Sequence, residues 1–207
     1  VNRKWLVGGV AALLAIIAVL ALVGGGVVGR SIVPAPSTSD RGATAPSAPA
    51  PATVRFKDTL TDVSIAYPSS WVRRASRDQG VRIVASSPDA AAAVSVSVRK
   101  SGLDPVPDEG LRLPAVRSIA DDLVRTVARG TTLGTISPPQ TVKVGGLPGY
   151  RFQYTYRRKG AAGGGHVHYV LFGDHRLLQI VLQAVPASSL PTLQPGFDRI
   201  ASTFQAG

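Results

Sequence analysis

The chain has 207 residues, with 23 Lys and Arg against 12 Asp and Glu, a formal net charge of +11, and no cysteine. Without cysteine there is neither a lipid-modified cysteine anchor nor a disulfide framework. The positive excess points to anionic partners, and the compartment decides which ones.

From Trp5 to Gly29 the sequence runs uncharged for 25 residues directly behind Arg3 and Lys4. About 20 apolar residues span a bilayer as a helix, and Leu13, Leu14, Ile16, Ile17, Val19 and Leu20 make the centre strongly apolar. A cleaved signal peptide has a shorter apolar core, about 7–15 residues. The expectation is an uncleaved single-pass anchor over residues 1–30. Arg3 and Lys4 hold the short N-terminus in the cytoplasm and place the rest outside the membrane. Heavy use of Ala, Gly, Pro and Arg, with Val1 read as a literally translated GTG start, suggests a GC-rich, actinobacterial source.

Residues 31–53 are rich in Pro, Ala, Ser and Thr, with Pro34, Pro36, Pro46, Pro49 and Pro51 among them. Such a stretch reads as an extended or disordered linker reaching roughly 70 Å at about 3.1 Å per residue. Residues 54–207 then form one domain large enough for a sizeable core. Strands are expected at Val63–Tyr67, Val81–Val84, Val94–Val98, Thr141–Val144, Tyr150–Arg157, His166–Phe172 and Leu177–Leu182. In the third, valines fall on one face and serines on the other. Gly163–Gly165 reads as a flexible hairpin loop. A helix is expected where Leu113, Val116, Ile119, Ala120, Leu123, Val124 and Val127 recur at helical spacing, with Gly130 as its stop. A second, shorter one covers Pro195 to Phe204, with Phe197, Ile200 and Phe204 facing inward. This order gives an α+β domain, an antiparallel sheet with helices against it.

The ordered set of local features resembles the PsbP-like fold family, named for the extrinsic photosystem II protein and including actinobacterial lipoproteins of the LpqN type. Val63-Ser64-Ile65-Ala66-Tyr67-Pro68-Ser69-Ser70-Trp71 is similar to the family's opening strand with Tyr-Pro and Trp. Val144-Gly145-Gly146-Leu147-Pro148-Gly149-Tyr150 is similar to its turn into a long hairpin, and Phe197-Asp198-Arg199-Ile200-Ala201-Ser202-Thr203-Phe204 to its closing helix. The resemblance implies an α/β/α sandwich with a central antiparallel sheet, used for binding or assembly, with no active site and no cofactor.

The residues themselves carry little catalytic signal. No Gly-x-Ser-x-Gly is present, and the glycine-rich stretches lack a P-loop lysine. Asp108-Glu109 and Asp121-Asp122 are adjacent, so on a helix they do not face one another and read as solvated charges. His166 and His168 share a strand face, with His175 beyond the next turn. As metal ligands they are weak candidates beside the plainer reading of surface histidines. Tyr150, Phe152, Tyr154 and Tyr156 fall on one side of a strand, which reads as core packed against a helix or, alternatively, as the wall of an apolar ligand cleft.

Two basic clusters stand out: Arg73, Arg74 and Arg77, and Arg157, Arg158 and Lys159. Outside a membrane such charge meets anionic lipid, acidic wall polymers or an acidic protein rather than nucleic acid. The expectation is a non-enzymatic accessory protein that docks these clusters onto an envelope membrane complex; a lipid or small-ligand carrier is the alternative.

Overall fold

The computed structural model describes residues 51–100, 114, 116–118, 120, 121, 124 and 130–207. The expected anchor and nearly all of the linker lie outside the described residues. Among the described residues, no helix is long and apolar enough to cross a membrane.

The described part is mostly antiparallel sheet with few helices. β1 (Thr53–Asp58) and β2 (Val63–Pro68) form a hairpin, and β11 (Gln205–Ala206) pairs the other edge of β2 to complete a three-stranded sheet. The larger sheet has eight strands. Its order is β3 (Val72–Arg73), β4 (Val81–Ser86), β5 (Ala92–Lys100), β10 (Arg176–Ala184), β9 (Ala161–Gly173), β8 (Leu147–Arg158) and β6 (Thr131–Ile136). β7 (Gln140–Val144) pairs the first half of β8. Pro114, Val116, Arg117, Ser118, Ala120, Asp121 and Val124 are helical and belong to α1; α2 spans Leu190–Ser202.

Turn chemistry holds the hairpins in register. Gly145 and Gly146 have φ of 58° and 82°, and Asp174 and His175 have φ of 49° and 55°. Left-handed pairs of this kind match the twist of two-residue hairpins.

The eight-stranded sheet buries both faces. On one, Val94, Val96 and Val98 of β5, Leu178, Ile180 and Leu182 of β10, and Val167, Tyr169 and Leu171 of β9 share a core with Val63, Ile65 and Tyr67 of β2. Phe197, Ile200 and Ala201 of α2 close it, followed by Phe204. On the other, Phe152, Tyr154 and Tyr156 of β8 pack with Val170 and with Val116, Ala120 and Val124 of α1. Each large apolar side chain so buried contributes about 1.5–3 kcal/mol.

Four features depart from the sequence reading. Gly163–Gly165 lie inside β9, and the turn falls at Lys159–Gly160, where Gly160 has φ of 72°. The glycines are needed for space: a Cβ on Gly164 would run into the Tyr156 ring, and one on Gly165 would touch Leu190. Helix α2 starts five residues before Pro195, because Pro191 sits in its first turn, where a missing N–H costs nothing. β1 and β6 are strands that alternation did not reveal; β1 carries only Phe56 as a large inward group. Finally, the serine face of β5 is not exposed, for Ser95 and Ser97 are buried.

Candidate functional site

The two basic clusters sit far apart. Arg73 ends the edge strand β3, with Arg74 and Arg77 just beyond; Arg157, Arg158 and Lys159 surround the β8–β9 turn. Five strand spacings separate β3 from β8 in the sheet order, about 24 Å at roughly 4.8 Å each. They do not form one patch. Arg73 lies over the Phe56 ring, 5.0 Å from its centroid, and Arg74 donates from Nε to Ser86 Oγ at 3.2 Å. The Arg73–Phe56 contact brings the outer strand of one sheet, β3, close to the outer strand of the other, β1. Val54 and Val72, on those two strands, are exposed large apolar residues.

The histidines are not surface residues. His166 and His168 are each 1% exposed, on the same face as the β8 aromatics. Packing between strands, not a ligand, accounts for His166. Its Nε2 lies 2.9 Å from Gln183 Oε1, and its Nδ1 lies 2.9 Å from the Tyr154 hydroxyl. A carbonyl oxygen can only accept, so Nε2 carries the proton and Nδ1 accepts from tyrosine. Burial holds the His166 pKa down to about 4, partly offset by the Gln183 hydrogen bond. His168 stacks on Phe152, with centroids 5.3 Å apart at 16°, and neither ring nitrogen has a hydrogen-bond partner among the described residues. Burial, then the neighbouring His166, pushes its pKa well down. His175 stands in the β9–β10 turn, seven residues along from His168, so it does not join them. Among the described residues, no three His, Cys, Asp or Glu side chains are grouped to hold a metal ion.

Tyr150, Phe152, Tyr154 and Tyr156 are all buried. The inward side chains of α1 stand against the last three. Burial raises the pKa of Tyr156, and raises that of Tyr154 well above the usual phenol value.

A groove that no local motif announced lies on the opposite face, between α2 and the sheet edge at β7. It is an open groove of about 620 Å³, lined by Gln140, Val142, Lys143, Arg151, Tyr169 and Asp198 among others. Strand pairing sets Gln140 opposite Arg151, and Arg151 opposite Tyr169, so the three share one lateral row. Tyr169 donates to Asp198 Oδ1 at 2.9 Å. Arg151 reaches the Tyr169 oxygen from Nε at 3.3 Å and Asp198 from Nη2 at 3.5 Å. Burial raises the Tyr169 pKa. The trio is 18 to 47 residues apart in sequence. The one available signal was a charged residue, Arg151, on the side of β8 that faces α2.

The arrangement is an antiparallel sheet with a polar groove at one edge. No protein-family model matches the chain, and no curated protein matches it by sequence. Among solved structures the chain has the PsbP-like fold. It overlays cyanobacterial PsbP (CyanoP) of Synechocystis sp. PCC 6803 with a TM-score of 0.61 at 16% identity, covering 80% of this chain and 98% of that one. A protein of Bacteroides thetaiotaomicron overlays at 0.50, with 12% identity, covering 74% of this chain and 48% of that one. LpqN of Mycobacterium tuberculosis, involved in cell envelope biogenesis, overlays at 0.42, with 12% identity, covering 74% and 90%.

Proposed function

We propose that the protein is a non-enzymatic accessory protein, anchored by residues 1–30 and carrying a PsbP-like binding domain outside the membrane, where it docks onto an envelope protein complex. The layers are read as the α/β/α sandwich of that fold, with the three-stranded sheet set beside α2. The observation that carries the reading is the corner where β1 and β3 lie close. Two strand edges end their sheets there, Val54 and Val72 are exposed, and Arg73, Arg74 and Arg77 stand alongside. An open edge with flanking cations suits an acidic partner segment that adds a strand. Anchoring raises the local concentration of the domain near a membrane partner, so modest intrinsic affinity suffices.

The test is co-purification of the full-length tagged chain from its native envelope in mild detergent, read by mass spectrometry. A stoichiometric envelope complex is expected. The R73E/R74E/R77E variant should lose it, whereas R157E/R158E/K159E, at the far side of the sheet, tests whether the second cluster contributes. Unchanged recovery with both variants would remove these clusters from the docking surface.

A further inference from the structure

We propose that the groove between α2 and β7 binds a small carboxylate-bearing ligand, of the size of a short peptide with a free C-terminus. Arg151 receives the carboxylate, and Asp198 receives a ligand N–H. The site uses none of the residues assigned to docking and stands independently of that reading.

The first support is the state of Arg151, best seen beside Arg176. Arg176 is a structural arginine. Its Nη1 donates to Thr61 O at 2.8 Å, and its Nη2 donates to Asp174 Oδ2 at 2.9 Å and to Gly207 O at 3.1 Å. Arg151 is equally enclosed, with its side chain 15% exposed. Its contacts to Tyr169 and Asp198 are long, and Nη1 donates to no described residue. A guanidinium held on one side by a tyrosine and a carboxylate, with the other side of its fork open to a groove, is oriented for a planar anion. Second, the Asp198 carboxylate stands beside Arg151 with its side chain 47% exposed. One cation beside one carboxylate leaves no net charge. That balance suits a ligand that carries both a carboxylate and an N–H group and disfavours a phosphate dianion, which Asp198 would repel. Third, the shape is right. About 620 Å³ lies within the range of small-molecule sites, about 300–1,000 Å³. Gln140, Gln194 and Ser202 supply amide and hydroxyl groups around it, a lining for a peptide rather than for an acyl chain.

The test is isothermal titration calorimetry of the full-length chain in detergent micelles with three probes: trialanine, trialanine amide and inorganic phosphate. Saturable binding of trialanine is expected, with the amide and phosphate at least about tenfold weaker, a factor worth about 1.4 kcal/mol. R151Q should lose about tenfold or more. R151K keeps the charge without the fork and should recover only part of the affinity. D198N, at a position 47% exposed, should weaken binding several-fold, so the proposal stays testable if R151Q fails to fold. No saturable heat with trialanine up to about 10 mM, equal binding of acid and amide, or affinity indifferent to both R151Q and D198N would overturn it. Each of those results leaves the co-purification experiment unaffected.

Discussion

The two faces of the eight-stranded sheet are buried to similar depth but built from opposite materials. Toward α2 and the small sheet, β5 and β10 present Val94, Val96, Val98, Leu178, Ile180 and Leu182. On the other side the same two strands present Ser95, Ser97, Gln179 and Gln183, and β9 adds His166 and His168, all buried. Apolar packing needs no partner, whereas each buried polar atom costs about 1–3 kcal/mol if left unpaired. His166 and Gln183 satisfy each other, but both nitrogens of His168, Ser95 Oγ and Gln179 Nε2 have no partner among the described residues. Both faces bury apolar groups, but only the second also holds unmet hydrogen-bonding capacity.

The largest effect separating the faces should come from Phe197→Ala on the apolar side. It empties a 1%-exposed position and should cost about 3–5 kcal/mol in urea denaturation followed by Trp71 fluorescence. Next is acid. The unfolded chain takes up a proton near pH 6.5, the folded His166 only near 4, so the unfolded state binds more protons between those values. Stability should be full above pH 6.5 and fall by roughly 3 kcal/mol on reaching pH 4. A flat profile there would mean the polar face opens to water. At neutral pH, His166→Phe should cost about 1–3 kcal/mol, because Tyr154 and Gln183 lose their partner. His168→Phe should be neutral or stabilising, since it removes two unpaired nitrogens beside the Phe152 ring. Equal losses in both variants would erase the distinction between a satisfied and an unsatisfied histidine. Ser95→Ala should change the midpoint least, within about 0.5 kcal/mol.

These contrasts explain how far the sequence could be read. β2, β5, β8 and β10 are legible because their apolar residues alternate. Alternation identifies two faces without saying that both are covered, so Ser95, Ser97, His166 and His168 read as surface. The Gly163–Gly165 run reads as a loop because its reason is distant in sequence: the Tyr156 ring occupies the space of the missing Cβ on Gly164. In α2, Pro191 and Pro195 look like breakers, yet the first is an N-terminal residue and the second lies inside the helix. The basic clusters are legible as charge, but their placement on opposite sides of the sheet depends on strand order. The groove was the least visible, since Arg151, Tyr169 and Asp198 meet only after β8, β9 and α2 have assembled.

β2 has a hairpin partner on one side at once, but its other edge waits for Gln205 and Ala206. The Ser64–Gln205 side-chain contact spans 141 residues, and Gly207 N–H donates to Asp62 O at 2.9 Å. An isolated two-stranded hairpin is marginal in water. A chain delivered N-terminus first thus carries an open, sticky strand until residues 205–207 emerge. The small sheet is in effect a checkpoint on synthesis of the domain, and a chain cut before Gln205 would keep that edge exposed.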